Sequence, residues 1–271
     1  MKPTRRHLPE QLFLAAVFLL AIAGFWPIFL GPGAEPDAHQ QMHLVVVFAW
    51  LALLFVQLRL VSRQDFAGHR RLGAAVLVVA PLLVASTAML AVHSATKGIV
   101  SGRGDPLVVQ NMMGPVELGL LVFLAFLLRK RRPLHGALLM ATAISFMGIA
   151  LFFTLLGFVP GFRIEGPETF HRFALAGMTG QGICLAVGLA FLARDYRNGW
   201  PYLLAALFFP FNDLLGRALA RFDLVDPLTR FLGSLSQGWT FVGGFALMLA
   251  LLLATGLRPP RSAPTAPMTN P

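Results

Sequence analysis

Charged residues and cysteine are both scarce in this chain, and each scarcity excludes a class of protein. Only 13% of the 271 residues are charged, 56% are hydrophobic, and the mean hydropathy is +0.71. Soluble domains carry about 25% charged residues, so this composition does not describe one. The one cysteine, Cys184, permits no internal disulfide and no C-x-x-C-H attachment of c-type haem. The G-x-G-x-x-G, Walker A, H-E-x-x-H and G-x-S-x-G patterns are absent too. No stretch between apolar runs exceeds about twenty residues, which leaves no room for a nucleotide-binding or flavin domain.

What is present is a series of apolar runs, several near the ~20 residues needed to cross a bilayer. Eight are legible, at roughly 11–30, 42–61, 72–94, 107–128, 135–159, 173–193, 199–219 and 231–257. The seventh is interrupted by Pro201, Pro210, Asn212 and Asp213. The expected fold class is therefore all-α: a polytopic membrane helix bundle of about eight transmembrane helices in one domain, residues 1–257. The Pro-rich tail "RPPRSAPTAPMTNP", residues 258–271, is predicted to be disordered. The opening "MKPTRRH" resembles a signal-peptide n-region. The run after it is longer than the usual 7–15 residues, so it reads as a span, with cleavage as the alternative.

A net charge of +10 raises the question of nucleic acid, but its placement answers differently. With the N-terminus in the cytoplasm, the inner segments hold Lys2, Arg5, Arg6, Arg59, Arg63, Arg70, Arg71, Arg129, Lys130, Arg131, Arg132, Arg194, Arg197, Arg258 and Arg261. The outer loops hold Lys97, Arg103, Arg163, Arg172, Arg217, Arg221 and Arg230. That is 15 against 7, a positive-inside bias that places both termini in the cytoplasm. The partner implied is a lipid bilayer; nucleic acid is not required.

On that topology the histidines fall into two layers. His39 and His43 (in "DAHQQMH"), His93 and His171 lie on the outer side. His69, in "HRRLG", and His135, in "RRPLHGALLM", lie on the inner side. His7 precedes the first span and reads as solvated. His69 and His93 are 24 residues apart, ~36 Å along a helix, so they cannot share one site. A bis-histidine b-type haem needs two imidazoles at one depth from different helices. His43 with His93, and His69 with His135, meet that condition, and Arg70, Arg71, Arg131 and Arg132 stand where propionates would be. Other readings remain open. His39 and His43 have H-x-x-x-H metal spacing without a third ligand, and His39 reads as exposed. His171 could replace His93, and histidines at helix ends also snorkel to headgroups.

Glu117, about midway along the fourth run, is a candidate proton or polar site expected to face protein; Pro115 and "QNMMG" could shorten that helix. Asp213 and Arg217 read as an i,i+4 ion pair. Gly177, Gly180 and Gly182, with Ala176 and Gly180 in small-xxx-small spacing, read as a packing face.

His43, Trp50, Gln57 and "HRRLG" at 69–73 form a run that resembles an uncharacterised bacterial family of multi-pass membrane proteins. "VFLAFLLRKRRPLHGALLM" resembles its second signature and "LARDYRNG" the segment after its sixth span, so the likeness covers roughly residues 40–210. The chain departs from the family where "HGALLM" replaces H-K-R-L-M, and where Trp200 and Pro201 replace a His-Pro pair. The resemblance implies kinship with the two-haem b-type cytochrome superfamily, which includes ferric-reductase membrane domains, and hence haem b on membrane histidines. The expected function is electron transfer in a bacterial inner membrane, with a quinol or small-molecule electron donor. The alternatives are a non-redox scaffold or assembly factor with interfacial histidines, and a transporter.

Overall fold

The computed structural model describes residues 7–102 and 104–257. Lys2, Arg5, Arg6, Arg103, Arg258, Arg261 and the 258–271 tail lie outside the described residues. Among those described, the chain is an all-α bundle of ten α-helices with no strand. They are α1 (Leu8–Phe25), α2 (Ala38–Ser62), α3 (Phe66–Gly73), α4 (Val76–Val100), α5 (Val108–Leu127), α6 (Arg132–Phe158), α7 (His171–Arg194), α8 (Trp200–Arg221), α9 (Val225–Gly233) and α10 (Gln237–Ala254). All but α3 and α9 belong to segments long and apolar enough to cross a membrane, eight in total. Large apolar side chains such as Leu19, Val45 and Leu247 stay exposed on the outside of the bundle. That is the surface a lipid-solvated protein presents, since lipid tails are as apolar as leucine.

Several boundaries differ from those read in the sequence, and each has a local cause. His69 does not open the third span. It sits on α3, a separate short helix capped by Asp65, whose Oδ1 accepts from the Gly68 N–H at 2.8 Å. The last run likewise divides: α9 is a short amphipathic helix, and α10 starts only after Ser236, whose Oγ accepts from the Trp239 N–H at 3.4 Å. Both changes place polar caps where a single long hydrophobic window had averaged them away. In the other direction, α8 runs unbroken through Pro210, and α5 through Pro115. Membrane helices tolerate such prolines because neighbouring helices and local backbone adjustments re-satisfy the polar groups that a proline frees.

Helices α4 and α6 form the centre. The first packs on α2, α5, α9 and α10, the second on α1, α5, α7 and α8. Close approach depends on small residues: a Cβ on Gly24 of α1 would overlap the Ala150 carbonyl of α6. Ala176, Gly180 and Cys184 make a buried stripe on α7, and a Cβ on Gly180 would meet the Gly148 carbonyl oxygen of α6 at 3.6 Å. Gly177 and Gly182 face open space instead, because they lie off that stripe.

Hydrogen bonds sort the helix ends into two groups. Gln11 Nε2 donates to Ser62 Oγ at 2.9 Å, Arg194 pairs with Glu10 at 2.8 Å, and Arg129 donates to the Thr255 carbonyl. These join the start of α1 to the ends of α2 and α7, and the end of α5 to the end of α10. We call this the basic end, since Arg59, Arg70, Arg71, Arg131 and Arg132 are also there and exposed.

Candidate functional site

At the end opposite the basic one, α2 and α4 run antiparallel, and their register decides which histidines meet. Four residues separate His39 from His43 on α2, so both project on the same side, one turn apart. His43 Nδ1 lies 3.0 Å from Ser86 Oγ. Ser86 gives its own hydrogen to the Leu83 carbonyl at 3.1 Å, so its oxygen accepts and His43 carries the proton on Nδ1. His39, a turn nearer the helix start, meets His93 instead: their ring centroids are 4.4 Å apart with planes at 55°. Ser86 and His93 are seven residues apart on α4, a rise of ~10 Å. His43 and His93 therefore face different partners at different depths, and the expected outer pairing does not form. Depth counted from the ends of the apolar runs misplaced His93 by about a turn, because α4 extends to Val100 rather than ending at 94.

His39, expected to be exposed, is half-buried, and its Nε2 is fully covered with no partner among the described residues. Asp37, the residue before α2, completes a group of three ligand atoms with His39 and His93, all within 4.8 Å of one another. His171 is remote from this chemistry: exposed at the start of α7, its Nδ1 donates to the Glu168 carbonyl at 3.0 Å.

At the basic end stand His69 and His135, the expected inner pair. His69 on α3 and His135 near the start of α6 are close enough for their charges to act on each other. Burial pushes the His69 imidazole below its ordinary value, and the His135 and Arg70 charges add to the effect. His135 Nδ1 donates to the Ala125 carbonyl at 2.8 Å, and its ring stands edge-on to Phe126 at 5.2 Å between centroids. A carbonyl can only accept, so in the neutral ring the unprotonated nitrogen is Nε2. His69 Nδ1 is buried without a partner among the described residues, and so are both side-chain polar atoms of Gln57. Gln57 of α2 reaches Gly73, one turn along α3 from His69. Three unsatisfied buried polar atoms at one helix junction are unusual, since such groups cost free energy when unpaired.

Glu117 lies between these two ends. It faces protein, at 5% exposure, against Asn212 of α8. The contact falls short of hydrogen-bond geometry, leaving Glu117 Oε1 and both Asn212 amide atoms without partners among the described residues. Asp213 does not pair with Arg217 as its spacing suggested; Gln181 Nε2 of α7 donates to Asp213 Oδ2 at 2.7 Å. Nothing in the local spacing announced Asn212 beside Glu117 or Gln181 beside Asp213, because both contacts join different helices, α5 with α8 and α7 with α8. The chain matches no family model, no curated protein and no solved structure.

Proposed function

We propose that this protein is a membrane electron carrier holding one b-type haem at its basic end, with His69 and His135 as axial ligands. The observation that carries the reading is the placement of both histidines at the basic end, within range of each other's charge, with His69 Nδ1 buried and unpartnered among the described residues. The donor set fits the group. His135 is anchored through Nδ1–H to a backbone carbonyl, the outer contact that orients ligating histidines and leaves Nε2 for iron. Exposed Arg70, Arg71, Arg131 and Arg132 supply the charge that carboxylate substituents require. Phe126, edge-on to His135, limits the rotation of that ring.

When bound, haem supplies one-electron transfer; the chain's part is to hold it, orient both rings and exclude competing ligands. The donor class is a membrane quinol or a small reductant, since the chain has no nicotinamide-binding motif. The His43–Ser86 contact removes the second, outer haem from this reading and with it electron passage across the whole membrane.

A reduced-minus-oxidised absorption spectrum of the detergent-purified protein tests the proposal. The expected result is a b-type α-band with about one haem per chain, lost in His69→Ala and His135→Ala and retained in His43→Ala. Protein from haem-sufficient cells with no Soret band would refute it and favour the scaffold reading, in which these are interfacial histidines.

A further inference from the structure

The Asp37–His39–His93 group stands outside the site proposed for haem, at the opposite end of the bundle. We infer that it binds a divalent transition-metal ion of the Zn²⁺ class, through one carboxylate oxygen and two imidazole nitrogens, with a fourth position open to the aqueous phase. Two imidazoles and one carboxylate are the donor set of three-ligand zinc sites.

Three observations support this reading. The three ligand atoms lie within 4.8 Å of one another, the only such grouping of three among the described residues. Ion bonds of ~2.1 Å would hold them at ~4.2 Å or less, so the three ligand atoms would draw slightly closer on binding. The His39 Nε2 is sealed from solvent with no partner among the described residues, an arrangement that an ion would satisfy and that costs stability otherwise. The Asp37 carboxylate is not taken up by an ion pair: those among the described residues join Arg172 to Glu165, Arg194 to Glu10 and Arg230 to Asp226.

The supporting framework is rigid. The Asp37 N–H donates to Gln40 Oε1 at 2.9 Å, fixing the start of α2. On α4, the residues beside His93 are tied to other helices: Ser94 Oγ accepts from Asn111 Nδ2 at 3.1 Å, and Thr96 Oγ1 donates to the Gly233 carbonyl at 3.3 Å. The ligands therefore come from two elements whose positions are set by packing, as preorganised sites require. An ion here would also clamp α2 to α4.

The test is zinc titration of the full chain in detergent, prepared without a polyhistidine tag and stripped with chelator. Isothermal calorimetry should show one equivalent per chain with a dissociation constant in the micromolar range or below. Co²⁺ in place of Zn²⁺ should give visible d–d bands. Asp37→Asn, His39→Ala and His93→Ala should each weaken binding at least tenfold, while His43→Ala, His69→Ala and His135→Ala leave it unchanged. Zinc should also raise the unfolding temperature of the wild type but not of the first three variants. Should His93→Ala fold poorly in chelator, His93→Gln carries the same expectation. No saturable binding below 100 µM, or wild-type binding in the His93 variant, would overturn the inference. The haem spectrum is a separate readout on separate residues, so either proposal can fail alone.

Discussion

Trp50 shows what single side chains contribute to this bundle. At 1% exposure it is among the largest fully buried residues, and its Nε1 donates to Thr142 Oγ1 of α6 at 2.9 Å. Indole has one polar atom, so a buried tryptophan without that acceptor would leave a donor unsatisfied. Trp50→Phe is expected to destabilise the protein by about 0.6 kcal/mol, the average measured for hydrogen bonds between membrane helices, and by no more than about 1.7 kcal/mol. Thr142→Val should cost a similar amount, and the double variant less than the sum. Equilibrium unfolding in mixed detergent micelles measures this, and strict additivity would show that the contact carries no energy. In the turn after α7, Asp195 gives a pH-dependent counterpart. Its Oδ2 accepts from Asn198 Nδ2 at 2.9 Å, and Oδ1 from the N–H groups of Arg197 and Asn198 at 3.2 and 3.1 Å. The Asn198 amide, with these backbone donors, holds the carboxyl below the usual carboxylate range. A depressed folded-state value stabilises above the unfolded value near pH 4 and is lost as pH falls through the folded one. Asp195→Ala should therefore lower the unfolding temperature modestly at pH 6, with the difference shrinking as pH falls below the unfolded value and through the folded one.

At the scale of the helix, approach distance matters more than any one bond. Gly24 and Ala150 let α1 lie against α6 without intervening side chains, and the Phe209 ring of α8 occupies the space beside Gly148 on another part of α6. Gly24→Val must push α1 outward or strain both helices, because the obstructing atoms are backbone. The expected cost is about 1–3 kcal/mol, as for overpacked cores. Gly177→Ala on α7, where nothing lies within 4 Å, should be neutral. Thermal unfolding of the two variants distinguishes them; equal effects would mean that the α1–α6 contact is not tight. Element boundaries also decide the chemistry. The break after Gly73 separates α3 from α4 and puts His69 on a short helix of its own, within range of the His135 charge. The extension of α4 to Val100 brings His93 level with His39.

For the molecule as a whole, the ties between helix ends bring the first and last spans back to the same end of the bundle, as eight crossings require. The basic side chains Arg59, Arg70, Arg71, Arg131 and Arg132 stand at that end, and the positive-inside rule predicts it to be the cytoplasmic one. Single cysteines at Glu35 and Lys130, introduced with Cys184 replaced by alanine, would report on opposite faces. A membrane-impermeant maleimide should label position 35 in intact cells and position 130 only after permeabilisation. Labelling of position 130 from outside would invert the arrangement and with it the assignment of the two histidine clusters to membrane faces.

The amino-acid sequence alone determined the solvent, the fold class, the number of spans and the burial of Glu117. Each follows from local composition: a run of ~20 apolar residues has few fates outside a bilayer, and a carboxylate midway along one must face protein. The placement of His69 and His135 at one end of the bundle was legible as well, since both adjoin basic turns. Other contacts were decided only by the tertiary structure. Whether His93 meets His43 or His39 depends on how α2 slides along α4, and one turn of slide leaves every hydropathy window unchanged. Asn212 beside Glu117, Gln181 on Asp213 and Thr142 under Trp50 are likewise choices of rotation and register between different helices. Such choices rest on small residues and on interlocking shapes at the helix interfaces, which hydrophobic periodicity does not encode.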